Sequence, residues 1–152
     1  MKLYLAGPMT GIPRFNIPAF DNFSAMLREE GHEVISPSEL DDPEDRAAAY
    51  ASPDGGIVHY SKGKTWGDFL ARDIKLIMDT PLDAIAVLYG WEKSKGARFE
   101  TFTGNAMKGL PVYSATSLLW TRHEPIERLT LYRAWCADMD ITLNHSFGKV
   151  PA

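Results

Sequence analysis

The sequence predicts one small α/β domain built around a parallel sheet, and three observations predict it. Short apolar segments with strand character alternate with segments whose apolar residues recur at the helical period. One of these strands, residues 84–89, is almost wholly apolar, which is typical of a central strand covered on both faces. The length of 152 residues fits one domain better than two. Together these features predict a doubly wound, Rossmann-like or flavodoxin-like sheet of about four or five parallel strands with helices on both faces.

The first third of the chain contains two predicted strands with a helix between them. Residues 2–6 are a short apolar run that ends in a loop of turn residues, residues 7–13. The apolar residues of the next segment recur close to the 3.6-residue period of a helix: Phe20, Phe23, Met26 and Leu27. Gly31 fits the C-terminal cap of that helix. Residues 33–35 are then the second strand, because Pro37 stops it.

Residues 38–65 are predicted to be an insertion that follows the second strand. Five of the seven residues from 39 to 45 are acidic, and residues 46–50 are compatible with a helical turn. A connection of this length inside a compact domain is typical of an active-site lid. A solvated surface excursion is the equally open alternative.

The remaining elements continue the alternation of helices and strands. The pattern of apolar residues predicts a helix over residues 66–78 and the central strand over residues 84–89. It predicts a further helix over residues 97–108, which ends at Gly109. Residues 110–113 are the last predicted strand. The order β-α-β-insert-α-β-α-β is the pattern of a parallel sheet, since parallel strands need crossover connections.

A C-terminal helix is predicted over residues 124–139, with Pro125 at its first position. Four residues lie on one side of this helix: Ile126, Leu129, Tyr132 and Cys136. Two roles are open to it, packing on its own sheet or contact with a second subunit.

Composition and charge exclude several classes of protein. With 16 basic and 20 acidic residues the net charge is −4, which argues against a surface that coats a nucleic-acid polymer. No apolar run is long enough to span a membrane or to serve as a signal peptide. The single cysteine, Cys136, suits a reducing cytoplasm. The four histidines show no metal-binding spacing, so we expect no metal site.

Ligands of parallel α/β sheets bind beyond the carboxyl ends of the strands. Two loops rich in glycine and polar groups are predicted there, residues 7–11 and residues 90–96. Neither loop matches the phosphate-binding or dinucleotide-binding glycine motifs. The loops therefore indicate where a site lies, but they do not predict which ligand it binds.

Two carboxylates are the candidate chemical groups of this site. Glu100 lies in the first turn of the predicted helix 97–108, where the helix dipole favours an ionised carboxylate that can act as a nucleophile. An ordinary N-terminal glutamate is the alternative. Asp73 interrupts the apolar stripe of the helix 66–78, and a carboxylate on an inward face needs a function or a partner. Its alternative role is an ion pair, for example with Arg72 or Lys75.

Three segments resemble the nucleoside 2-deoxyribosyltransferase family. YLAGPM at residues 4–9 is similar to the opening strand and loop of that family, and DAIAVL at residues 83–88 to its central strand. SKGARFE at residues 94–100 is similar to its nucleophile segment, with a serine six residues before the glutamate. The resemblance spans residues 1–113 apart from the insertion. It is nearest to the short, often phage-encoded members, many of which have no assigned function.

The resemblance implies an enzyme that cleaves or transfers the N-glycosidic bond of a (deoxy)nucleoside or its 5′-monophosphate. In that scheme Glu100 attacks C1′ and forms a covalent glycosyl intermediate, which water or a second base resolves. Asp73 contacts the substrate and helps to protonate the departing base, while Tyr4 approaches the nucleophile. A serine at the position of Ser94 is found in members that act on monophosphates, and a helix N-terminus with a hydroxyl suits a phosphate. No cofactor is implied, and homo-oligomers are common in the family.

The substrate-binding residues are expected in the two loops and at the end of the insertion. They are Gly7, Pro8, Met9, Gly11, Trp66, Trp91, Ser94, Gly96 and Arg98. An aromatic side chain such as Trp66 can stack on a base. The chain departs from the family where Thr101 and Phe102 follow the glutamate in place of Leu-Gly, which puts the substrate or the activity in doubt.

Several alternatives for function remain open at this point. Hydrolase and transferase share their first half-reaction and are not separated by the sequence. A non-catalytic module that binds a nucleotide or sugar phosphate would use the same loops. An accessory protein that binds a host factor would use the acidic residues 39–45 as its contact surface.

Overall fold

Four parallel strands form one sheet with the order β2-β1-β3-β4 in a computed structural model, which describes residues 1–56, 63–119 and 124–137. The strands are β1 (Lys2–Ala6), β2 (Glu33–Ile35), β3 (Ala84–Val87) and β4 (Val112–Ser114). The helices are α1 (Ile17–Glu29), α2 (Pro43–Ala51), α3 (Trp66–Asp79), α4 (Lys95–Phe102), α5 (Ala115–Leu119) and α6 (Arg128–Cys136). The predicted α/β fold with a parallel sheet and flanking helices is therefore confirmed.

Side chains of β1 alternate between two hydrophobic cores, one on each face of the sheet, because successive strand residues point to opposite faces. Leu3 and Leu5 pack with residues of α1 and α5. Tyr4 and Ala6 pack on the other face, with residues of α3, α4 and α6. This alternation places Tyr4 on the same face as the two helices that carry Asp73 and Glu100.

The insertion after β2 is folded over its described part and contains the helix α2. Arg46 of α2 binds both carboxylate oxygens of Asp21 on α1, at 2.8 and 2.7 Å. Acidic residues at positions 39 to 45 pair with basic residues of the same chain: Glu39 with Arg28, Asp41 with Arg72, and Asp42 and Asp45 with Lys64. Residues 57–62, in the second half of the predicted insertion, lie outside the described residues.

Helix α4 is shorter than predicted and continues as a π-helix over Thr103–Met107. The wider turn brings the backbone of Gly104 against β3, where an added Cβ would lie 2.2 Å from Cδ1 of Ile85. A larger residue at this contact would force the buried side chain of Ile85 to move. The last strand is also shifted, from the predicted residues 110–113 to Val112–Ser114.

The prediction for the C-terminal helix was wrong in its start, and the side that the pattern singled out is not the buried one. Helix α6 begins at Arg128, because the preceding residues are extended and the amide of Ile126 donates to the carbonyl of Val112 at 2.7 Å. Leu129 and Tyr132 are exposed, and the buried residues of the helix are Leu131 and Ala134. Residues 138 and 139 lie outside the described part of the chain.

Helix α6 packs on its own domain through contacts with α4. The indole nitrogen of Trp135 donates to Oγ1 of Thr101 at 3.1 Å, and the Trp135 ring meets Phe102 edge-on at 5.3 Å. Two residues of α4, Thr101 and Phe102, are therefore contacts of this C-terminal helix. Within the described residues, no helix is long and apolar enough to cross a membrane.

Candidate active site

A cleft of about 650 Å³ lies at the carboxyl ends of β1 and β3. The loop after β1, the first half of α3 and the loop between β3 and α4 form its walls. Six of the predicted binding residues line it: Gly7, Pro8, Met9, Trp66, Ser94 and Gly96. Both candidate carboxylates, Asp73 and Glu100, line it as well. The structure thus joins in one cavity residues that are up to 93 positions apart in the chain (Gly7 to Glu100).

Glu100 lies at the buried side of the cleft, with only 6% of its surface exposed. The hydroxyl of Tyr4 donates to Oε1 of Glu100 at 3.1 Å. Burial, and then the nearby charge of Asp73, raise the pKa of Glu100 to about 8, although Tyr4 and Arg72 act in the opposite direction. Glu100 therefore holds a proton at neutral pH in the free protein.

The expected position and ionisation of Glu100 need correction. Helix α4 begins at Lys95 with Ser94 as its N-cap, so Glu100 lies in the second turn of the helix. The field of a helix terminus fades within one turn, whereas removal of a carboxylate from water costs far more. Burial therefore determines the pKa of this group.

Asp73 is also buried, with 6% exposure, and it has a direct ionic partner. Nε of Arg72 lies 2.8 Å from Oδ1 of Asp73. Burial raises the pKa of Asp73, and the guanidinium of Arg72 opposes this rise. The ion pair with Arg72 that the sequence left open is present, and Asp73 lines the cleft at the same time.

Arg72 is in turn held by a second carboxylate. NH1 of Arg72 lies 2.6 Å from Oδ1 of Asp41, whose side chain is only 1% exposed. The guanidinium also lies over the ring of Phe69, 5.5 Å from its centroid. Sequence reasoning considered Arg72 only as a possible partner of Asp73 and did not include Asp41, because 31 residues separate Asp41 from Arg72.

The wall near β3 has polar and basic character. Oγ of Ser94 accepts a hydrogen bond from the amide of Ala97 at 3.3 Å and caps α4. Lys93 and Lys95 flank this serine and line the cleft. An N-terminal helix turn between two cations is an arrangement that favours an anionic group of a ligand.

A second part of the wall is apolar and aromatic. Trp66 and Phe69 of α3 contribute to it, and so does Phe15 of the loop after β1. Phe15 is the centre of a left-handed turn, since residues 14 to 16 have φ of 59°, 49° and 57°. The side-chain amide of Asn16 supports this turn by donating to the carbonyl of Pro8 at 2.8 Å. The sequence did not predict Phe15 as a residue of the cleft, because its place there depends on a left-handed conformation that is rare for phenylalanine.

Three of the predicted binding residues lie outside the lining of the cleft. Gly11 adopts a positive φ of 80° and its amide donates to the carbonyl of Gly55. Trp91 is 4% exposed and packs in the core between the sheet and α3, α4 and α6. The guanidinium of Arg98 is buried and donates to the carbonyl of Ala134 on α6. Packing of α6 on α4 accounts for the position of Arg98.

The described residues contain no group of three or more histidine, cysteine or acidic side chains that could hold a metal ion.

The model of one protein family, described as Domain of unknown function (DUF4406), matches residues 1–113. No curated protein and no solved structure matches the chain. The matched segment includes Tyr4, Asp73, Ser94 and Glu100 and ends before α6.

Proposed function

Because the chain belongs to the DUF4406 family, a domain of unknown function, we propose its activity from its site: cleavage or transfer of the N-glycosidic bond of a (deoxy)nucleoside 5′-monophosphate or nucleoside. Glu100 is the nucleophile of this proposal and Asp73 the proton donor. The observation that carries it is a pair of buried carboxyl groups in one cleft, with Tyr4 bound to one of them. Enzymes that cleave glycosidic bonds typically use a pair of carboxyl groups.

The proposed reaction uses the two carboxyl groups in different protonation states. In the reactive form the one proton of the pair has moved from Glu100, which holds it in the free protein, to Asp73. An oxygen of ionised Glu100 forms a bond to C1′ while the bond from C1′ to the base nitrogen breaks. The electron pair of that bond leaves with the base, which takes a proton from Asp73. Water or a second base then attacks C1′ and releases Glu100, and Asp73 accepts the proton of the attacking group. Tyr4 stabilises the ionised form of Glu100 through its hydrogen bond.

The two walls of the cleft support a nucleotide as the substrate. The basic wall with Ser94, Lys93 and Lys95 suits the 5′-phosphate. The aromatic wall with Trp66 and Phe69 suits the flat face of a base. A substrate held by both ends would present C1′ between them, near the carboxyl pair.

A panel of substrates tests this proposal directly. The purified protein is incubated with deoxynucleosides, deoxynucleoside monophosphates and ribonucleotides, with and without a second base, and the products are separated chromatographically. We expect release of free base from a monophosphate, with a lower rate for the nucleoside that lacks the phosphate. Release that requires a second base would identify a transferase. If folded protein releases no base from any substrate, the proposal is wrong, and nucleotide binding without turnover would then identify a binding module.

The pH dependence of base release follows from the proton that the carboxyl pair shares. The pair needs one proton, on Asp73, and it needs Glu100 ionised, so the kcat/KM profile should be bell-shaped. Since burial raises the pKa of Glu100 to about 8, the last proton leaves the pair near that pH. We expect kcat/KM to fall above about pH 8. A rate that still rises towards pH 10 would show that the pair does not protonate the base.

A further inference from the structure

Asp41 belongs to the insertion, yet its side chain is among the most buried carboxylates near the cleft. Only 1% of this side chain is exposed, and its Oδ1 lies 2.6 Å from NH1 of Arg72. Arg72 uses a different nitrogen, Nε, to bind Asp73 at 2.8 Å. One guanidinium therefore joins a carboxylate of the insertion to a carboxylate of the cleft.

The position of Arg72 leaves it little freedom to do anything else. Two carboxylates hold two of its nitrogens, and Phe69 lies under its plane. Its side chain lines the cleft. Its hydrogen bonds go to Asp73 and Asp41, and none of them goes to Glu100. A cation fixed in this way acts on the carboxyl pair through its charge.

We propose that Asp41, through Arg72, is a positioning residue that controls which of the two carboxyl groups, Asp73 or Glu100, holds the proton used in the reaction. This inference rests on the proposed function. If Arg72 were paired with Asp73 alone, its full charge would stabilise ionised Asp73 and remove the proton donor. By taking one edge of the guanidinium, Asp41 weakens that effect and lets Asp73 keep a proton.

The charged groups that face the pair come from four parts of the chain. Tyr4 of β1 donates to Glu100, Arg72 of α3 binds Asp73, and Asp41 comes from the insertion. Lys93 of the loop before α4 and Lys95, the first residue of α4, line the same cleft. The negative charge of Asp41 raises the pKa of Asp73, whereas the positive charge of Arg72 lowers the pKa of both Asp73 and Glu100. Loss of Asp41 should therefore shift the titration of the pair in one direction, and loss of Arg72 should shift it in the other.

The experiment is a pH titration of the carboxyl carbons of Asp73 and Glu100 by NMR in ¹³C-labelled full-length protein. In Asp41→Asn we expect the titration of the pair to move to lower pH by about one unit, since one nearby negative charge is lost. In Arg72→Gln we expect it to move to higher pH by about one to three units. Arg72→Lys keeps the positive charge and should stay nearer to the wild type than Arg72→Gln does.

A matched control separates this effect from a general change of charge. Asp42→Asn removes the same charge one position away, from an exposed side chain that pairs with Lys64, and should leave the titration unmoved. Shifts of the same sign in Asp41→Asn and Arg72→Gln, or no shift in Asp41→Asn, would overturn the inference. If Arg72→Gln does not fold, an unmoved titration in folded Asp41→Asn is sufficient to overturn it.

A second readout links the inference to catalysis and keeps it separate from the proposed function. The kcat/KM profile should move in the same direction as the NMR titration in each variant. Nucleotides with an N7-methylated guanine need no proton from the enzyme, because their base already carries a positive charge. Asp41→Asn should therefore slow ordinary substrates more than this one, and equal slowing would contradict the inference. Absence of base release in the wild type would defeat the proposed function, while the NMR titration would still decide the role of Asp41.

Discussion

Glu100→Gln should lower the rate of base release by about 10⁴-fold or more, because it removes the nucleophile on which both half-reactions depend. The glutamine amide has the size of the carboxyl group, and its oxygen can still accept the hydrogen bond that Tyr4 now donates to Glu100. The substitution therefore changes the chemistry of the cleft while it preserves its shape. Initial rates of base release, measured with the best substrate of the panel, provide the number.

The matched control for this variant is Glu92→Gln in the same loop region. Glu92 is exposed and does not line the cleft, so its rate should stay within a few-fold of the wild type. Activity of Glu100→Gln close to that of Glu92→Gln would remove Glu100 from the mechanism.

Glu100→Ala offers a positive test of the same role. The smaller side chain leaves space in which azide can attack C1′ in place of the carboxylate. Azide should restore base release and give a glycosyl azide with the configuration at C1′ inverted, since only one displacement then occurs. In the wild type, rapid acid quenching followed by intact-mass measurement should detect the sugar phosphate attached to the protein. A wild-type product of inverted configuration would exclude the covalent intermediate.

Glu100→Gln should also make the protein more stable at neutral and alkaline pH. Burial raises the pKa of Glu100 from the ordinary 4.5 to about 8. Between these values the folded state holds a proton that the unfolded state has released, so stability falls as pH rises. At pH 7 the cost is about 3 kcal/mol, since 1.36 kcal/mol corresponds to one pH unit. A neutral glutamine at position 100 does not titrate, so the variant does not lose this stability.

Thermal unfolding between pH 4 and pH 9 measures this effect. The melting temperature of Glu100→Gln should exceed that of the wild type by on the order of 5–10 °C at pH 7. The difference should be largest above pH 8 and should fade towards pH 4, because the unfolded state binds the proton fully only below its pKa of 4.5. Glu92→Gln is again the control, because the exposed Glu92 should show no such pH-dependent gain. A Glu100→Gln protein that melts at or below the wild-type temperature at pH 8 would show that Glu100 is well stabilised as an anion.

The elements that the sequence predicted well are those whose signal is local. The apolar run of β3 and the alternating burial of β1 follow from periodicity, because a strand exposes successive residues to opposite faces. The helical stripe of α3 identified Asp73 as a carboxylate on an inward face, and the structure places it at 6% exposure. Since parallel strands all end at one edge, the loops after β1 and β3 were expected to lie together, and both line the cleft.

Long-range packing decided the features that the sequence did not reveal. Trp91 and Arg98 belong to the loop and helix of the site, but the packing of α4 and α6 on the sheet buries both away from the cleft. Helix α6 starts later than its pattern predicted because Ile126 first pairs with the carbonyl of Val112.

The sequence alone determined the parallel α/β fold and the inward position of Asp73, because both follow from the period of short segments. Glu100 was identified from its place near the start of a helix and from the resemblance of residues 94–100, and only the structure shows that it is buried. Only the tertiary structure decided the charge environment of those carboxylates. Burial outweighs the helix dipole at Glu100, and Asp41 reaches Asp73 through Arg72 across 31 residues of chain. The pKa of a group depends on the solvent and charges that surround it in space, and these are set by contacts between distant parts of the chain.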